Sequence, residues 1–443
     1  MEIALKGCLG DPLLDVMNFL NEVVLRHPGA VSFAPGRPTE RYFDVEGSLS
    51  RVAPYVEHRA AELGWSTTAV WNDLGQYNRT NGILQPLIAR QLELDEGIHA
   101  APESIVVTHG CQEGMVILLL GLLDPATDVL LVSDPTYIGI PGLARMMNIP
   151  MLPVPTAERG LDPAAVAAAL DEVRRSGRRA RALYDIPDFN NPLGTRMPVE
   201  ARRELLALAR EHDLLIFEDN PYGMFAYDGD SLPTLKALDE HGLVIYMGSF
   251  SKTLFPGLRL GFLVTGQQTV TASGARVPLA VELSKVKSLT TVTTSPIVQA
   301  VAGGILLESG GSLRPLVNEK LPFYRANRDR MLACLEESFG DLAPAVRWNR
   351  PAGGFFLTVD LPFAFGEAEV EACARDYGVI VCPMSFFALS SGREHQVRLS
   401  FSYVTPEQIE DGVRGFARFV REQGLTAAST PALPALNAAG RLS

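Results

Sequence analysis

Short β-rich runs that alternate with helical segments between residues 104 and 265 constrain the fold most strongly. The runs are rich in Val, Ile, Leu and aromatic residues, as strands buried on both faces of a sheet are. The predicted strands are SIVVTH (104–109), DVLLVS (128–133), ARALYDI (180–186), DLLIFE (213–218), LVIYMG (243–248) and RLGFLVT (259–265). The predicted helices among them are 111–123, 164–176 and 200–212. Such alternation predicts an α/β fold with a mostly parallel sheet between helices.

A second change of pattern, after about residue 315, predicts another domain. A chain of 443 residues is too long for one ordinary domain, so a large domain of roughly 250 residues and a smaller one are expected. The C-terminal third contains a predicted helix (316–338), antiparallel-looking strands (353–361, 378–384, 396–402) and a closing helix (405–422). The predicted divisions are an N-terminal helix and arm within the small domain (1–48), a large domain (49–314), the C-terminal part of the small α+β domain (315–424) and a flexible tail (425–443).

Charge and cysteine content disfavour several classes of function. The net charge is −12 and the sequence pI is about 5.2, so neither nucleic acid nor an anionic membrane surface is an expected partner. Five cysteines without a CxxC spacing, and seven histidines without HxH or HExxH, predict no disulfide framework and no metal site. The N-terminus does not read as a signal peptide, and the longest apolar runs are too short to span a bilayer. We therefore expect a cytoplasmic protein.

The strongest chemical signal surrounds Lys252, just after the strand LVIYMG. The segment SFSKTLFPGLRLG (249–261) flanks this lysine with hydroxyl, apolar and glycine residues, which is a poor setting for a surface lysine. A lysine at the end of a strand can form an imine with a carbonyl group. Ser249, Ser251 and Arg259 are suited to hold a phosphate dianion through hydrogen bonds. The segment therefore predicts a covalently bound phosphate cofactor.

The pattern SxSKxLxPGLRxG resembles the lysine motif of the class I and II aminotransferases of pyridoxal-phosphate fold type I. The resemblance implies that Asn191, in NPLG, binds the phenolic oxygen of pyridoxal 5′-phosphate, and that Tyr222 shares this oxygen. Asp219, in FEDNPYG, matches the family's partner of the pyridine nitrogen. Arg398, in QVRLSFS, matches the arginine that grips the substrate α-carboxylate. The implied fold is a large domain with a mostly parallel seven-stranded sheet between helices, and a small α+β domain.

Further residues match the family outside these motifs. Gly110-Cys111-Gln112, at a strand-to-helix junction, resembles the turn whose backbone N–H groups bind the cofactor phosphate. Tyr137, in DPTY, matches the aromatic residue that stacks on the pyridine ring. Tyr77 resembles the tyrosine that reaches the partner subunit's phosphate, so the resemblance implies a homodimer. Cys111 stands where a small or hydroxyl residue is common, and we expect a backbone role, with a reactive thiol as the alternative.

Each of these residues alone has an ordinary structural explanation. Asp219 suits a helix N-cap, Asn191-Pro192 a turn, and Arg398 an ion pair on a sheet face. Their ordered occurrence around Lys252 favours one site, because the parts serve one reaction. Asp219 would favour a protonated pyridine nitrogen, Lys252 would move a proton at the substrate Cα, and Arg398 would hold the carboxylate. The predicted reaction is ping-pong transfer of an amino group between an L-amino acid and a 2-oxo acid.

The N-terminal segments bear on the substrate. MEIALKGCLGDPLLDVMNFLNEVV and FAPGRPTERYF are similar to aminotransferases of actinobacterial peptide-antibiotic pathways that form arylglycines from arylglyoxylates. Gly36 and Arg37 lie in the second segment, which is expected to cover the pocket, and both are candidate substrate-binding residues. Arg37 could bind a distal carboxylate or a phenol oxygen, with a surface position as the alternative. The segment 383–387 replaces a Pro-Gly turn usual near the pocket rim, and its role is open.

Several alternative functions stay open at this point. Aminotransferases for 2-aminoadipate, kynurenine-like or branched-chain amino acids would carry the same motifs. So would decarboxylases, lyases and oxidases on the same scaffold, because the motifs bind cofactor and carboxylate without choosing the reaction. The effector domain of a transcription factor is disfavoured, since no basic helix-turn-helix segment precedes residue 30.

Overall fold

The computed structural model describes residues 3–429, in which helices cover both faces of a large sheet. The α-helices are α1 (Pro12–Arg26), α2 (Val45–Ser50), α3 (Val52–Leu63), α4 (Thr67–Leu74), α5 (Gln85–Glu96), α6 (Gly110–Leu122), α7 (Gly139–Met146), α8 (Pro163–Arg175), α9 (Val199–Glu211), α10 (Leu235–Leu238), α11 (Phe250–Thr253), α12 (Leu279–Thr290), α13 (Pro296–Glu308), α14 (Arg314–Asn318), α15 (Leu321–Phe339), α16 (Glu367–Tyr377) and α17 (Pro406–Ser429). The strands are β1 (Val31–Ser32), β2 (Ile105–Thr108), β3 (Asp128–Asp134), β4 (Met151–Ala157), β5 (Gly160–Leu161), β6 (Arg179–Asp185), β7 (Leu215–Asp219), β8 (Val244–Ser249), β9 (Gly261–Val264), β10 (Gln268–Val270), β11 (Arg276–Pro278), β12 (Arg347–Trp348), β13 (Phe356–Asp360), β14 (Val379–Ile380), β15 (Cys382–Pro383) and β16 (Gln396–Ser400). The strands predicted between residues 104 and 265 are all confirmed, and β4 is an addition to them.

The large sheet has the strand order β2-β9-β8-β7-β6-β3-β4-β5. Strands β4, β3, β6, β7 and β8 are parallel, and β9 runs antiparallel to both of its neighbours. Seven strands match the predicted sheet, and the two-residue β5 adds an antiparallel eighth at the edge. Because parallel strands end at the same edge, β7 and β8 bring Asp219 and Ser249 to the edge where α/β folds bind ligands.

Alternating residues of the central strands pack into two separate apolar cores. Leu131 of β3 and Ile216 of β7 join the core beneath α8 and α9. Leu130 and Phe217, one residue away on the same strands, join the larger core on the opposite side. This division follows from the two-residue period of a strand, which sends successive side chains to opposite faces. Burial on both faces explains why these strands read as continuous apolar runs.

A second, antiparallel sheet has the order β12-β13-β16-β15 and carries Arg398 on β16. Strand β1 of the N-terminal arm pairs in parallel with β14 of the C-terminal third. The arm therefore lies beside the C-terminal third through backbone hydrogen bonds. The domain boundaries themselves stay a prediction.

Three predicted elements of the C-terminal third are interrupted. The helix predicted at 316–338 is two helices, α14 and α15, because Pro322 has no N–H to donate to the carbonyl of Asn318. The strand predicted at 378–384 is broken into β14 and β15, because Val379–Ile380 pairs with β1 whereas Cys382–Pro383 pairs with β16, and a 3-10 turn follows at Met384–Phe387. The strand predicted at 353–361 begins only at Phe356, because Gly354 has a φ of 74°.

Helix α17 extends into the predicted flexible tail, 425–443, and the flexibility of this tail stays a prediction. Helix α17 ends at Ser429 rather than 422, and no proline interrupts the chain between Pro406 and Pro431. Residues 430–443 of the predicted tail lie outside the described residues. Within residues 3–429, no helix is both long and apolar enough to cross a membrane.

Candidate active site

A cavity of about 300 Å³ lies where the carboxyl ends of β7 and β8 meet β16 and α1. It brings together every predicted site residue except Tyr77 and Arg37. The predicted residues that line it are Gly36, Gly110, Cys111, Gln112, Tyr137, Asn191, Asp219, Tyr222, Ser249, Ser251, Lys252, Arg259 and Arg398. The cavity therefore unites side chains from distant parts of the sequence.

Lys252 lies in the four-residue helix α11, directly after β8. The hydroxyl of Ser249 accepts a hydrogen bond from the N–H of Ser251 and so caps this helix. The Nζ of Lys252 donates to the carbonyl of Gly36 at 2.8 Å. Burial, reinforced by the positive charges of Arg259 and Arg398, lowers the pKa of Lys252 to about 8. An amine with this pKa can act as a nucleophile and can exchange protons near neutral pH.

One end of the cavity is suited to a doubly charged anion. The hydroxyls of Ser249 and Ser251 are 2.7 Å apart, and the guanidinium of Arg259 lines the same cavity. Gly110 has a φ of 71° and begins the thirteen-residue helix α6 there. A Cβ on Gly261 would lie 2.9 Å from the backbone of Gly110, so glycine lets the two segments approach. Hydroxyls, a guanidinium and helix-terminal N–H groups together form a phosphate-binding arrangement.

Asp219 ends β7 as a buried carboxylate. Its Oδ2 accepts a hydrogen bond of 2.7 Å from the hydroxyl of Tyr184, whereas its Oδ1 is buried without a hydrogen-bond partner among the described residues. Burial raises the pKa of Asp219 to about 6, against the opposing effects of the Tyr184 hydroxyl, the Cys111 thiol and the Lys252 charge. A cationic N–H donor placed at Oδ1 would satisfy this oxygen and favour the ionised carboxylate.

Arg398 reaches the cavity from the second sheet. Its Nη1 donates to Oδ1 of Asn191 at 2.7 Å, and its Nη2 donates to the carbonyl of Ala34. The guanidinium contacts two rings, with its Cζ 4.4 Å from the centroid of Phe356 and 4.5 Å from that of Phe387. Within residues 3–429, Arg398 forms no ion pair and its buried Nε has no hydrogen-bond partner. A buried guanidinium without a carboxylate favours an incoming anion.

Two tyrosines of the cavity keep their hydroxyl protons. Tyr137 donates to Oε1 of Gln112 at 3.2 Å, and burial raises its pKa to about 12. Burial also raises the pKa of Tyr222, whose ring packs edge-on against Phe356 with centroids 5.7 Å apart. Both hydroxyls are therefore hydrogen-bond donors at neutral pH.

Cys111 lines the cavity but is not an activated thiol. Burial and the nearby carboxylate of Asp219 raise its pKa well above the ordinary value. The reactive thiolate is the form that such surroundings disfavour. The backbone role predicted for Cys111 is the one compatible with this environment.

Two predicted site residues lie elsewhere. Tyr77 is 77% exposed and does not line the cavity of its own chain. Arg37 is also exposed, and its guanidinium stacks on Tyr403 at 4.5 Å from the ring centroid. Arg37 does not line the cavity of its own chain, and the predicted contact between Arg37 and substrate stays a prediction. Its neighbour Gly36 does line the cavity.

The sequence did not reveal several residues of the site. Tyr184 lies within the apolar run of β6. Its hydroxyl could have indicated a polar neighbour, because a buried tyrosine usually forms a hydrogen bond. An apolar wall of the cavity contains Val16, Leu20 and Val24 of α1, together with Phe387. Asn21 of α1 is a polar member of this wall. Among the described residues, no cluster of side chains could hold a metal ion.

Comparisons with known proteins agree with this geometry. The family described as aminotransferase class I and II matches residues 76–416. The chain is 42% identical over 416 residues to the (S)-3,5-dihydroxyphenylglycine transaminase of Amycolatopsis orientalis, covering 94% of this chain and 93% of that relative. It is 30% identical over 401 residues to the 2-aminoadipate transaminase of Thermus thermophilus, covering 89% and 91%. The solved multiple substrate aminotransferase of Thermococcus profundus has a TM-score of 0.79 at 29% identity, covering 93% of this chain and 95% of that chain.

The family match spans most of the chain, and the cavity contains the lysine, the carboxylate and the anion-binding groups that the family's chemistry requires. The fold is fold type I, as the sequence motifs implied. This chain belongs to the class I and II aminotransferase family and is an enzyme that uses pyridoxal 5′-phosphate to transfer an amino group between an amino acid and a 2-oxo acid.

Proposed function

We propose that this aminotransferase interconverts an arylglycine and the corresponding arylglyoxylate, an acid whose aromatic ring is attached directly to the 2-oxo group. The observation that carries the proposal is the distribution of cations in the cavity. Lys252, Arg259 and Arg398 are the cationic side chains among the described lining residues. The first two belong to the cofactor, so Arg398 alone is left for a substrate carboxylate.

The apolar wall of the cavity, where the substrate side chain would lie, favours an uncharged and flat side chain. Val16, Leu20, Val24 and Phe387 make this wall apolar, and none of them can pair with a carboxylate. A second carboxylate, as in 2-aminoadipate, would be desolvated there without a cation, which is costly. The 42% identical relative is named for (S)-3,5-dihydroxyphenylglycine, whose ring carries only hydroxyl groups.

The residues at the anion-binding end fit the phosphate of pyridoxal 5′-phosphate. Arg259, Ser249 and Ser251 would hold it with the backbone N–H groups at the start of α6. Tyr137 would pack against the ring, as the resemblance implies. Asn191 and Tyr222 would donate to the phenolic oxygen, since both line the cavity.

The unpartnered Oδ1 of Asp219 fits the pyridine nitrogen, because this oxygen is buried and needs a donor. When bound, the cofactor supplies an electron sink that makes the substrate Cα proton acidic. Asp219 would keep the ring nitrogen protonated by charge pairing. Lys252 would carry the cofactor and, once released by the incoming amine, would move the proton at Cα.

Arg398 would hold the α-carboxylate of both substrates in turn. Its Nη1 and Nη2 are already engaged by Asn191 and Ala34, and this fixes the plane of the guanidinium. The Nε of Arg398 lies in the same plane and has no hydrogen-bond partner among the described residues. The edge of the guanidinium that contains Nε would therefore be available to a carboxylate. A fixed carboxylate determines which bond at Cα is perpendicular to the cofactor ring and therefore breaks.

We also propose a homodimer in which Tyr77 serves the partner's site. Tyr77 is exposed, and the large apolar side chains Leu289, Val292 and Ile297 are 89%, 48% and 52% exposed. The hydroxyl of Thr293 donates to the carbonyl of Arg79 at 3.2 Å, which places these exposed residues beside the Tyr77 loop. Exposed apolar patches of this kind mark protein–protein contacts.

A complementation experiment tests the dimer. Tyr77→Phe and Lys252→Ala chains, each impaired alone, would regain activity when refolded together, because each mixed dimer contains one intact site. If Tyr77 served its own chain, mixing would restore nothing. Sedimentation of the unmodified protein as a monomer at assay concentration would also refute the proposal.

The substrate proposal is tested by single-turnover reactions on a panel of amino acids. Formation of the amino form of the cofactor, followed by its absorbance, gives kcat/KM for 3,5-dihydroxyphenylglycine, 4-hydroxyphenylglycine, kynurenine, 2-aminoadipate and leucine. The arylglycines should have the highest values. Preference for 2-aminoadipate or leucine would overturn the proposal, and release of carbon dioxide or ammonia in place of an amino product would indicate a lyase, decarboxylase or oxidase.

A further inference from the structure

The segment between β15 and β16 bears directly on Arg398. It contains Phe387, whose ring lies 4.5 Å from the guanidinium of Arg398 and lines the cavity. Phe386, its neighbour, packs edge-on against Phe19 of α1 with centroids 5.9 Å apart. This is the segment in which the sequence departs from a Pro-Gly turn. Its aromatic residues therefore connect the carboxylate-binding arginine with the helix that covers the cavity.

A buried carboxylate from the large sheet anchors this segment. Asp134, the last residue of β3, is 4% exposed. Its Oδ1 accepts from the N–H of Leu389 at 2.7 Å, and its Oδ2 accepts from the N–H of Ser390 at 3.1 Å and from the Ser390 hydroxyl. The N–H of Thr136 donates to the carbonyl of Phe387 at 3.0 Å. Asp134, at the end of β3, and Thr136, just after it, thus hold the backbone from the carbonyl of Phe387 to the N–H of Ser390.

We propose that Asp134 is a positioning residue for recognition of the substrate carboxylate. It fixes the backbone of residues 387–390, so that the Phe387 ring stays against the Arg398 guanidinium, which the Phe356 ring also contacts. The two rings hold the guanidinium in one plane, with its remaining N–H groups at the cavity. This inference rests on the proposed role of Arg398.

The chemistry of the anchor explains why a carboxylate is needed. The three groups that contact Asp134 are all donors, two N–H groups and a hydroxyl. A carboxylate only accepts, whereas an asparagine amide would turn one NH₂ group toward a donor. Asp134→Asn should therefore release one of the contacts without changing the volume of the side chain.

Both substrates should respond equally, since the amino acid and the 2-oxo acid share the α-carboxylate. Asp134→Asn should raise the KM of both by roughly 5- to 30-fold, with kcat changed less than about threefold. The cofactor absorbance and the affinity for cofactor should not change, because Asp134 does not line the cavity. Phe387→Leu should reproduce the effect, and the double variant should be no worse than the more impaired single variant.

The same strand offers a matched control. Asp128, the first residue of β3, is 1% exposed and binds the N–H of Asp124 at 2.9 Å and the Nε of Arg179 at 2.9 Å. Asp128→Asn should lower the melting temperature but leave both KM values unchanged. A general weakening of β3 would instead affect KM in the two variants alike, and this would overturn the proposal.

Comparison with Arg398→Lys distinguishes a failure of the positioning role of Asp134 from a failure of the carboxylate site at Arg398. If Arg398→Lys raises both KM values and Asp134→Asn raises neither, the positioning role is wrong and the carboxylate site stands. If Arg398→Lys itself leaves both KM values unchanged, the proposed carboxylate site fails. Additive losses in the Asp134→Asn, Phe387→Leu double variant would show that Asp134 does not act through Phe387.

Discussion

Replacing Asp219 by asparagine tests whether the buried carboxylate supplies the charge on which the chemistry depends. The substitution keeps the shape of the side chain, and the 2.7 Å hydrogen bond from Tyr184 to Oδ2 can persist. What changes is Oδ1, the buried oxygen without a partner among the described residues. Asp219→Asn should therefore slow the chemical step while the protein still folds and holds the cofactor.

The expected magnitude follows from the contact that would be lost. A hydrogen bond to a charged group contributes about 1.5–3 kcal/mol, and each 1.36 kcal/mol in a barrier is tenfold in rate. This contact alone corresponds to a loss of roughly 10- to 150-fold. Loss of a preorganised electrostatic partner in an enclosed site reaches roughly 10²–10³-fold. We therefore expect a decrease of at least about 100-fold in the single-turnover rate.

Stopped-flow measurement of the cofactor absorbance after mixing with amino acid gives this rate directly. Asp185→Asn is the matched control, since Asp185 is a buried carboxylate at the end of neighbouring β6 that does not line the cavity. Tyr184→Phe should give a smaller loss than Asp219→Asn, because it removes one hydrogen bond to the carboxylate and leaves the charge of Asp219 in place. A near-normal rate for Asp219→Asn, or an equal loss in Asp185→Asn, would refute the assignment.

Three other predictions concern single residues of the cavity. Lys252→Ala should abolish turnover. After borohydride reduction of the unmodified enzyme, peptide mass spectra should show the cofactor attached to Lys252. Attachment to another lysine would contradict the assignment. Arg398→Lys keeps the charge and loses the planar guanidinium, so kcat/KM should fall for both substrates in steady-state kinetics, by an amount equivalent to about 1.5–3 kcal/mol each. A loss with only one substrate would place the carboxylate site elsewhere. Burial and the carboxylate of Asp219 raise the pKa of Cys111, so its thiolate fraction grows only at strongly alkaline pH. Iodoacetamide at pH 7.5 should therefore leave Cys111 unlabelled in the native enzyme. Labelling of Cys111 would show that the thiol is reactive.

The sequence revealed the parts of the site that belong to continuous motifs. Lys252, with its hydroxyl neighbours and Arg259, lies within thirteen residues, and Asp219 follows a recognisable strand. Such motifs can be recognised because local turns and strand ends dictate which residues are adjacent. The alternation of strands and helices predicted the order of elements for a similar reason, since apolar periodicity is a local property.

Residues that act across long sequence distances could not be predicted in this way. Asp134 contacts Ser390, 256 positions later, and Phe387 meets Arg398 only because β15 and β16 are paired. Arg37 lies in the segment predicted to cover the pocket, but it stacks on Tyr403 and does not line the cavity of its own chain. The interruption at Pro322 had a local signal, which the apolar pattern around it concealed. The break between β14 and β15 had none, because these strands pair with two distant strands, β1 and β16.

The cations of the cavity also link substrate binding to proton transfer. Burial lowers the pKa of Lys252, and the charges of Arg259 and Arg398 lower it further. A substrate carboxylate held by Arg398 would offset one of these charges and so raise the pKa of Lys252. Because a stronger base is better able to remove the Cα proton, the group that positions the substrate would also prepare the lysine for its role. Such coupling would favour reaction only when Arg398 holds a carboxylate. The α-carboxylate is the group that the amino acid and the 2-oxo acid have in common.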